Sequence, residues 1–248
     1  MTDRSGDRED ERDHRFSVGQ GFTDPYDSFD FDPPELDVDP TKVDPVDDWV
    51  LTDILDERNV TADNVNAEEL IDVGLSYAGI NRFEQAIDTF ARAARFTDDP
   101  AIQQEAWINK GVAHAEIEEY EEAIGAYLES LSIDDRGEFA ALAETNLAYA
   151  YWEIGQDERA LEHAERAVEL DPRLPQAWFN RGFFLLERGL AEDAVRAFDN
   201  AHRLGLRSVN LYEEHARALE EAGMDEEAEE MANRAEEIKA EIEREMMS

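Results

Sequence analysis

The sequence predicts an all-α protein, a solenoid of about five helix-turn-helix units, on three observations. Small residues recur at Gly74, Gly111, Ala148, Gly182 and Ala216, and twelve positions after each stands an alanine: Ala86, Ala123, Ala160, Ala194 and Ala228. Large and small residues pair four apart, as in Trp107/Gly111 and Trp178/Gly182, which sets them on one helix face. Stop signals separate the two halves of a unit, in "INRF", "EIGQD", "ERGLA" and "EAGMD". The units begin near 67, 104, 141, 175 and 209, and a fixed period of 34 to 37 residues marks a solenoid.

Each element follows in order. Residues 1–47 are expected to form a disordered acidic tail. They hold five of the eight prolines, and "DPYDSFDFDPPELDVDP" follows neither helix nor strand period, so little apolar area opposes chain entropy. Residues 48–66 read as a short capping helix and linker, with Val50/Ile54 and Leu51/Leu55 at helical spacing behind Asp47 or Asp48. The solenoid is expected over 67–248. Asn66 with Glu69 predicts a capping box before unit one. Asp99-Pro100 and Leu174-Pro175 place proline in a first helical turn, and Ser208 suits the cap of the last unit. Gly155, Gly189 and Gly223 suit the left-handed position past a helix end, Asn81 tolerates it, and unit two has Glu118 there. The extra residues before units two and three predict about one added helical turn each, around Pro100 and Gly137. A capping helix runs from Asp225 towards Met247, as solenoids require polar ends.

One stretch, "AWFNRGFFLLERGLAEDAVRAFDNA" (177–201), is too apolar for a single helical stripe. It divides into two faces. Trp178, Gly182 and Leu185 are expected to meet Ala194, Phe198 and Ala201 of the following helix. Phe179, Phe183 and Leu186 lie on the neighbouring face.

The net charge is −40, from 63 acidic and 23 basic residues, only three of them lysine. Nucleic-acid binding depends on cations that neutralise phosphates, and anionic membrane surfaces likewise attract basic segments, so neither is an expected partner. Such a surface repels itself in low salt and is screened in molar salt, which points to the cytoplasm of a halophile, expected to be an archaeon. There is no cysteine, hence no disulfide or thiolate chemistry. The N-terminal "MTDRSGDREDERDHRF" lacks the apolar core of a secretory signal, and a cytoplasmic location is expected.

The repeat resembles the tetratricopeptide repeat. Trp107, Trp178 and Tyr212 stand at its large fourth position, Tyr77 and Tyr151 at its eleventh, Phe90, Tyr127 and Phe198 at its aromatic twenty-fourth, and Asp171-Pro172 closes unit three. Unit three departs with Glu144 at its fourth position, and Ala164 and Ala232 replace the aromatic of units three and five. The resemblance implies a right-handed superhelix whose first helices line a concave groove that holds other proteins. By the same resemblance the groove residues are Ile108, Asn109 and Val112 in unit two, Asn146, Tyr149 and Trp152 in unit three, and Phe179, Asn180, Phe183 and Leu186 in unit four. Asn109, Asn146 and Asn180 share one repeat position; each suits either a bound peptide backbone or a neighbouring helix. The groove supplies only Arg217 as a cation, so no clamp for a peptide carboxylate is expected.

No phosphate loop, metal-ligand spacing or triad occurs, and the five histidines are scattered, so neither catalysis nor a cofactor or metal is expected. The reading is a protein- or peptide-binding adaptor, monomeric, that uses an aromatic groove. Its alternative is a self-associating assembly subunit. A further expectation lays the tail segment "YDSFDFDPPELDVDP" in the groove of its own chain.

Overall fold

The computed structural model describes residues 66–246; the acidic tail and the helix expected at 48–66 lie outside them, save Asn66. Among the described residues there are ten helices and no strand: α1 (Ala67–Gly79), α2 (Phe83–Arg95), α3 (Pro100–Glu116), α4 (Tyr120–Ile133), α5 (Ala140–Glu153), α6 (Asp157–Leu170), α7 (Pro175–Glu187), α8 (Ala191–Arg203), α9 (Val209–Glu221) and α10 (Asp225–Met246). Each odd-numbered helix pairs with the next as a hairpin, and each hairpin packs on the one before. Odd-numbered helices of successive units also touch one another, whereas the even-numbered ones do not. The stack therefore curves with its first helices on the inner side.

The caps follow side-chain chemistry. Asp99 accepts the Ala101 N–H at 2.9 Å ahead of Pro100, and Ser208 accepts the Leu211 N–H at 3.1 Å. Asn66 caps α1 through the Glu68 N–H at 3.1 Å, while its amide donates to Glu69 at 3.1 Å. The expected reciprocal box is thus replaced by a side-chain pair. Proline at 100 opens the added turn of α3, which has 17 residues against 13 in α1. At Gly137 the added residues form a hydrogen-bonded turn, with the Ala140 N–H on the Gly137 carbonyl at 3.2 Å, that leads into α5 without lengthening its regular helix. The Asp134 carboxylate accepts the Arg136 N–H at 2.9 Å, and this turn leads the chain out of helix before α5. Asn81 and Glu118 both adopt left-handed backbone, with φ of 59° and 62°. Hydrogen bonds from Glu119 and Ile117 to the His114 carbonyl hold that turn in place.

The hairpins close on a reciprocal rule. Where the first helix carries Gly, the second presents a ring against it: Gly74 with Phe90, Gly111 with Tyr127, Gly182 with Phe198. A Cβ at Gly182 would stand 2.8 Å from two ring carbons of Phe198. Where the first helix carries Ala148, the second carries Ala164, both fully buried, whereas in unit five Ala216 is buried and Ala232 is exposed. Ring and methyl thus trade places, and helix approach sets which is allowed.

Unit three compensates at Glu144, which is 1% exposed yet fully paired. One carboxylate oxygen accepts from His163 Nδ1 at 2.6 Å, the other from Arg166 Nε at 2.9 Å, and Arg166 continues to Asp135 at 3.1 Å. His163 stacks on Tyr151 with ring centroids 5.1 Å apart. The departure from a large apolar residue is a buried ion network that spans α5 and α6. Burying a carboxylate without partners is prohibitive, so these partners are a condition of the substitution.

Candidate functional site

The inner side of α5 and α7 carries a contiguous row of rings. Tyr149 and Trp152 lie in the last turns of α5, one helical face, with centroids 6.0 Å apart. Trp152 meets Phe183 of α7 edge-on at 5.0 Å, which bridges two units. Tyr120, the first residue of α4, extends the row at the other end, 6.5 Å from Tyr149 and nearly perpendicular to it at 74°. Tyr149 is 43% exposed, and Trp152, Phe183 and Tyr120 are half-buried. Edge-to-face contacts of this kind add favourable energy to area burial and hold rings in fixed orientations.

The remaining groove residues sort by burial. Val112 is exposed, and Asn109 and Asn146 are half-buried. Ile108, Asn180 and Leu186 are buried, so they support this face from beneath and offer no free surface. Asn180 donates to the Thr145 carbonyl at 3.1 Å and accepts from Gln176 at 3.1 Å, which braces α7 on α5. Its position faces a neighbouring helix because first helices touch on the inner side of the curve. Phe179 leaves the row; its half-buried ring packs on Phe198 of α8 at 5.8 Å. Tyr120 was hidden from sequence reasoning because the groove positions of the repeat lie on first helices and Tyr120 opens a second one. Its signal is an aromatic directly after the turn, adjacent to the inner edge.

Carboxylates surround the row. Glu153 interacts with the Tyr149 hydroxyl, and burial followed by this interaction pushes the phenol above its ordinary value. Burial, then Glu153 and Glu118, likewise raises Tyr120. At the far end Arg217 of α9 lies over Phe183 at 6.0 Å, held by Glu187 and by Glu214 at 3.2 Å. Burial raises the Glu214 carboxyl against the pull of Arg217. Arg217 is thus committed to two carboxylates. Among the described residues no group of three or more His, Asp or Glu side chains is arranged to hold a metal ion, and no helix is long and apolar enough to cross a membrane.

A curved stack of antiparallel helix pairs with small residues at each crossing defines a helical-repeat scaffold. Two tetratricopeptide-repeat family models match the chain, over residues 72–141 and 141–184. Together these matches cover residues 72–184, from α1 into α7 of the described all-α solenoid. No curated protein matches the chain. Solved structures share the fold at low identity. MamA is 20% identical with a TM-score of 0.56, over 69% of this chain and 97% of its own. MamA from Desulfovibrio magneticus RS-1 is 18% identical with a TM-score of 0.57, over 71% and 96%. YrrB, described as a TPR protein with an unusual peptide-binding site, is 21% identical with a TM-score of 0.53, over 75% and 91%.

Proposed function

We propose that this chain is a non-catalytic adaptor that holds a segment of a partner protein along the inner face of α3, α5 and α7. The observation that carries the reading is the row Tyr149, Trp152 and Phe183, contiguous across two units and partly open to solvent. On a chain of net charge −40, clustered apolar surface marks an interaction site. These rings stand at the edge of the core, against which Trp152 and Phe183 pack, and not at the small-residue crossings, which are Gly182 with Phe198 in unit four and Ala148 with Ala164 in unit three. The repeat resemblance assigns Val112, Asn109 and Asn146 to the same side, where a carboxamide both donates to and accepts from an extended backbone. The peptide-binding site described for YrrB belongs to that protein; the shared fold favours a comparable use here. The acidic surface favours a salt-rich cytoplasm as its setting.

Affinity capture with the full chain in molar KCl, followed by binding measurements on the captured protein, tests the reading. Trp152→Ala with Phe183→Ala should leave the helical circular dichroism intact and abolish binding. Retained binding in a folded double variant refutes the groove. A melting temperature that does not rise between about 0.1 M and about 3 M KCl counts against the salt-rich setting.

The second reading, self-association, has one observation in its favour. α10 has 22 residues against 13 in α9, so it runs about 13 Å further, with Ile242 exposed on that extension. Light scattering at high protein concentration in molar KCl separates the readings, and a strict monomer removes the second.

A further inference from the structure

Resting on the groove reading, we infer that the bound segment presents a cationic side chain, Arg or Lys among apolar residues, to a cradle of Tyr120, Tyr149, Trp152 and Glu153. Three rings meet there at different angles, 74° between Tyr120 and Tyr149 and 36° between Tyr149 and Trp152, so they form a tilted cluster rather than a flat stack. Ring faces attract cations, most strongly where water is displaced. The charges that raise the two phenols are carboxylates: Glu153 and Glu118 act on Tyr120, and Glu153 acts on Tyr149. The cradle therefore joins π-faces to fixed negative charge, which complements a cation and opposes an acidic segment.

The chain supplies its own precedent. At the other end of the row, Arg217 lies over Phe183 and is anchored by Glu187 and Glu214. Other rings also take the chain's own cations: Lys110 stands over Trp107, Arg159 over Tyr151 and Arg181 over Trp178. Among the described residues no Lys or Arg stands over Tyr120, Tyr149 or Trp152. One end of the row is satisfied internally; the other has the same chemistry and carries no cation among the described residues, which suits it to a partner's cation.

The test uses the full chain and a fluorescein-labelled apolar peptide with one central arginine, compared with the same peptide bearing citrulline, its neutral isostere. Anisotropy titrations in molar KCl should show the arginine peptide binding roughly tenfold tighter. Tyr149→Phe keeps the ring and should keep the preference, whereas Tyr149→Leu and Glu153→Gln should each reduce it. Circular dichroism confirms that each variant is folded. Equal binding of the two peptides overturns the cation inference and leaves the groove reading standing, provided Trp152→Ala with Phe183→Ala weakens both. Binding of neither peptide, or binding indifferent to that double variant, overturns both readings. Tighter binding of a peptide with glutamate at the central position overturns the cation inference alone.

Discussion

Gly182→Ala isolates the rule that closes the hairpins. The new Cβ would sit 2.8 Å from Phe198 Cδ1 and Cε1 and 3.1 Å from Cζ, closer than carbon atoms tolerate. Phe198 is fully buried, so the ring has no exit to solvent. Overpacking of this kind costs about 1–3 kcal/mol. Helix propensity returns about 1 kcal/mol when Gly becomes Ala. The net expectation is a loss of about 1 kcal/mol, the difference of those two effects. Phe198→Ala alone removes a buried ring and costs about 4 kcal/mol. Combined, the two changes recreate the buried Ala148 and Ala164 combination of unit three. The methyl then fills part of the space vacated by the ring, and the clash is gone, so the double variant should lose only about 2–3 kcal/mol. The coupling energy is therefore about −2 kcal/mol or larger in magnitude. Urea denaturation followed by circular dichroism, in constant molar KCl, measures all four corners of the cycle. Because helical repeats can unfold in parts, coincidence with tryptophan fluorescence checks that one transition is compared. Additivity within about 0.5 kcal/mol would refute the reciprocal rule.

Three further outcomes follow from the same structure. Glu118 holds φ of 62°, so Glu118→Gly should relieve left-handed strain by more than it adds chain entropy and stabilise the fold by about 0.5 kcal/mol; a loss on thermal unfolding contradicts this. Burial lowers the folded-state pKa of His215, and burial with Arg207 lowers that of His202. As pH falls below the ordinary histidine value of 6.5, the unfolded chain takes up these protons before the folded one does. Stability should therefore fall from pH 7.5 to about 5.5, and His215→Gln should flatten that slope; a slope unchanged by the variant places the effect elsewhere. Glu144→Ala opens a cavity and strands its partners, costing about 3 kcal/mol, whereas Glu144→Leu restores a large apolar residue and lets the half-exposed Arg166 turn to water, costing about 1 kcal/mol or less; equal losses in calorimetry argue against this account of unit three.

The architecture was legible because its determinants are local and repeated. A small residue, an alanine twelve later and a stop between them state a helix pair five times over. The caps at Asp99 and Ser208 were legible for the same reason, since a capping side chain and its target lie within three residues. The turn at Gly137 was legible as added residues but not as to type: the Arg136 N–H on the Asp134 carboxylate and the Ala140 N–H on the Gly137 carbonyl make it a turn ahead of the helix. Glu144 read as a defect because its partners, His163 and Arg166, lie on the facing helix 19 and 22 positions away. Those partners are three apart and share a face of α6, a signal available once the hairpin is assumed. Burial within the groove was the least legible feature. Asn109, Asn146 and Asn180 share a repeat position, yet Asn180 is buried and tied to Thr145 while the others are half-buried. What distinguishes them is how closely first helices approach, and the sequence period does not encode that distance.

That closeness also decides where binding surface can exist. On the inner side, α5 and α7 meet through Asn180 and through Trp152 on Phe183. A residue at the centre of this contact is lost to solvent, as Asn180 is. Tyr120, Trp152 and Phe183 are covered on part of their surface only, and these rings stay partly exposed while held by edge-on contact. Holding them costs little further entropy on binding, because their rotamers are already fixed by packing. The polar partners at the edge, Glu153 beside Tyr149 and Glu187 beside Arg217, come from helix C-terminal turns, where carboxylates are disfavoured by the helix dipole. Glu116, Glu153, Glu187 and Glu221 each end a first helix, so the carboxylates follow the repeat. What sets Glu153 and Glu187 apart is that Glu153 lies beside Tyr149 and Glu187 holds the Arg217 that lies over Phe183, where on the proposed reading they complement an occupant's cation.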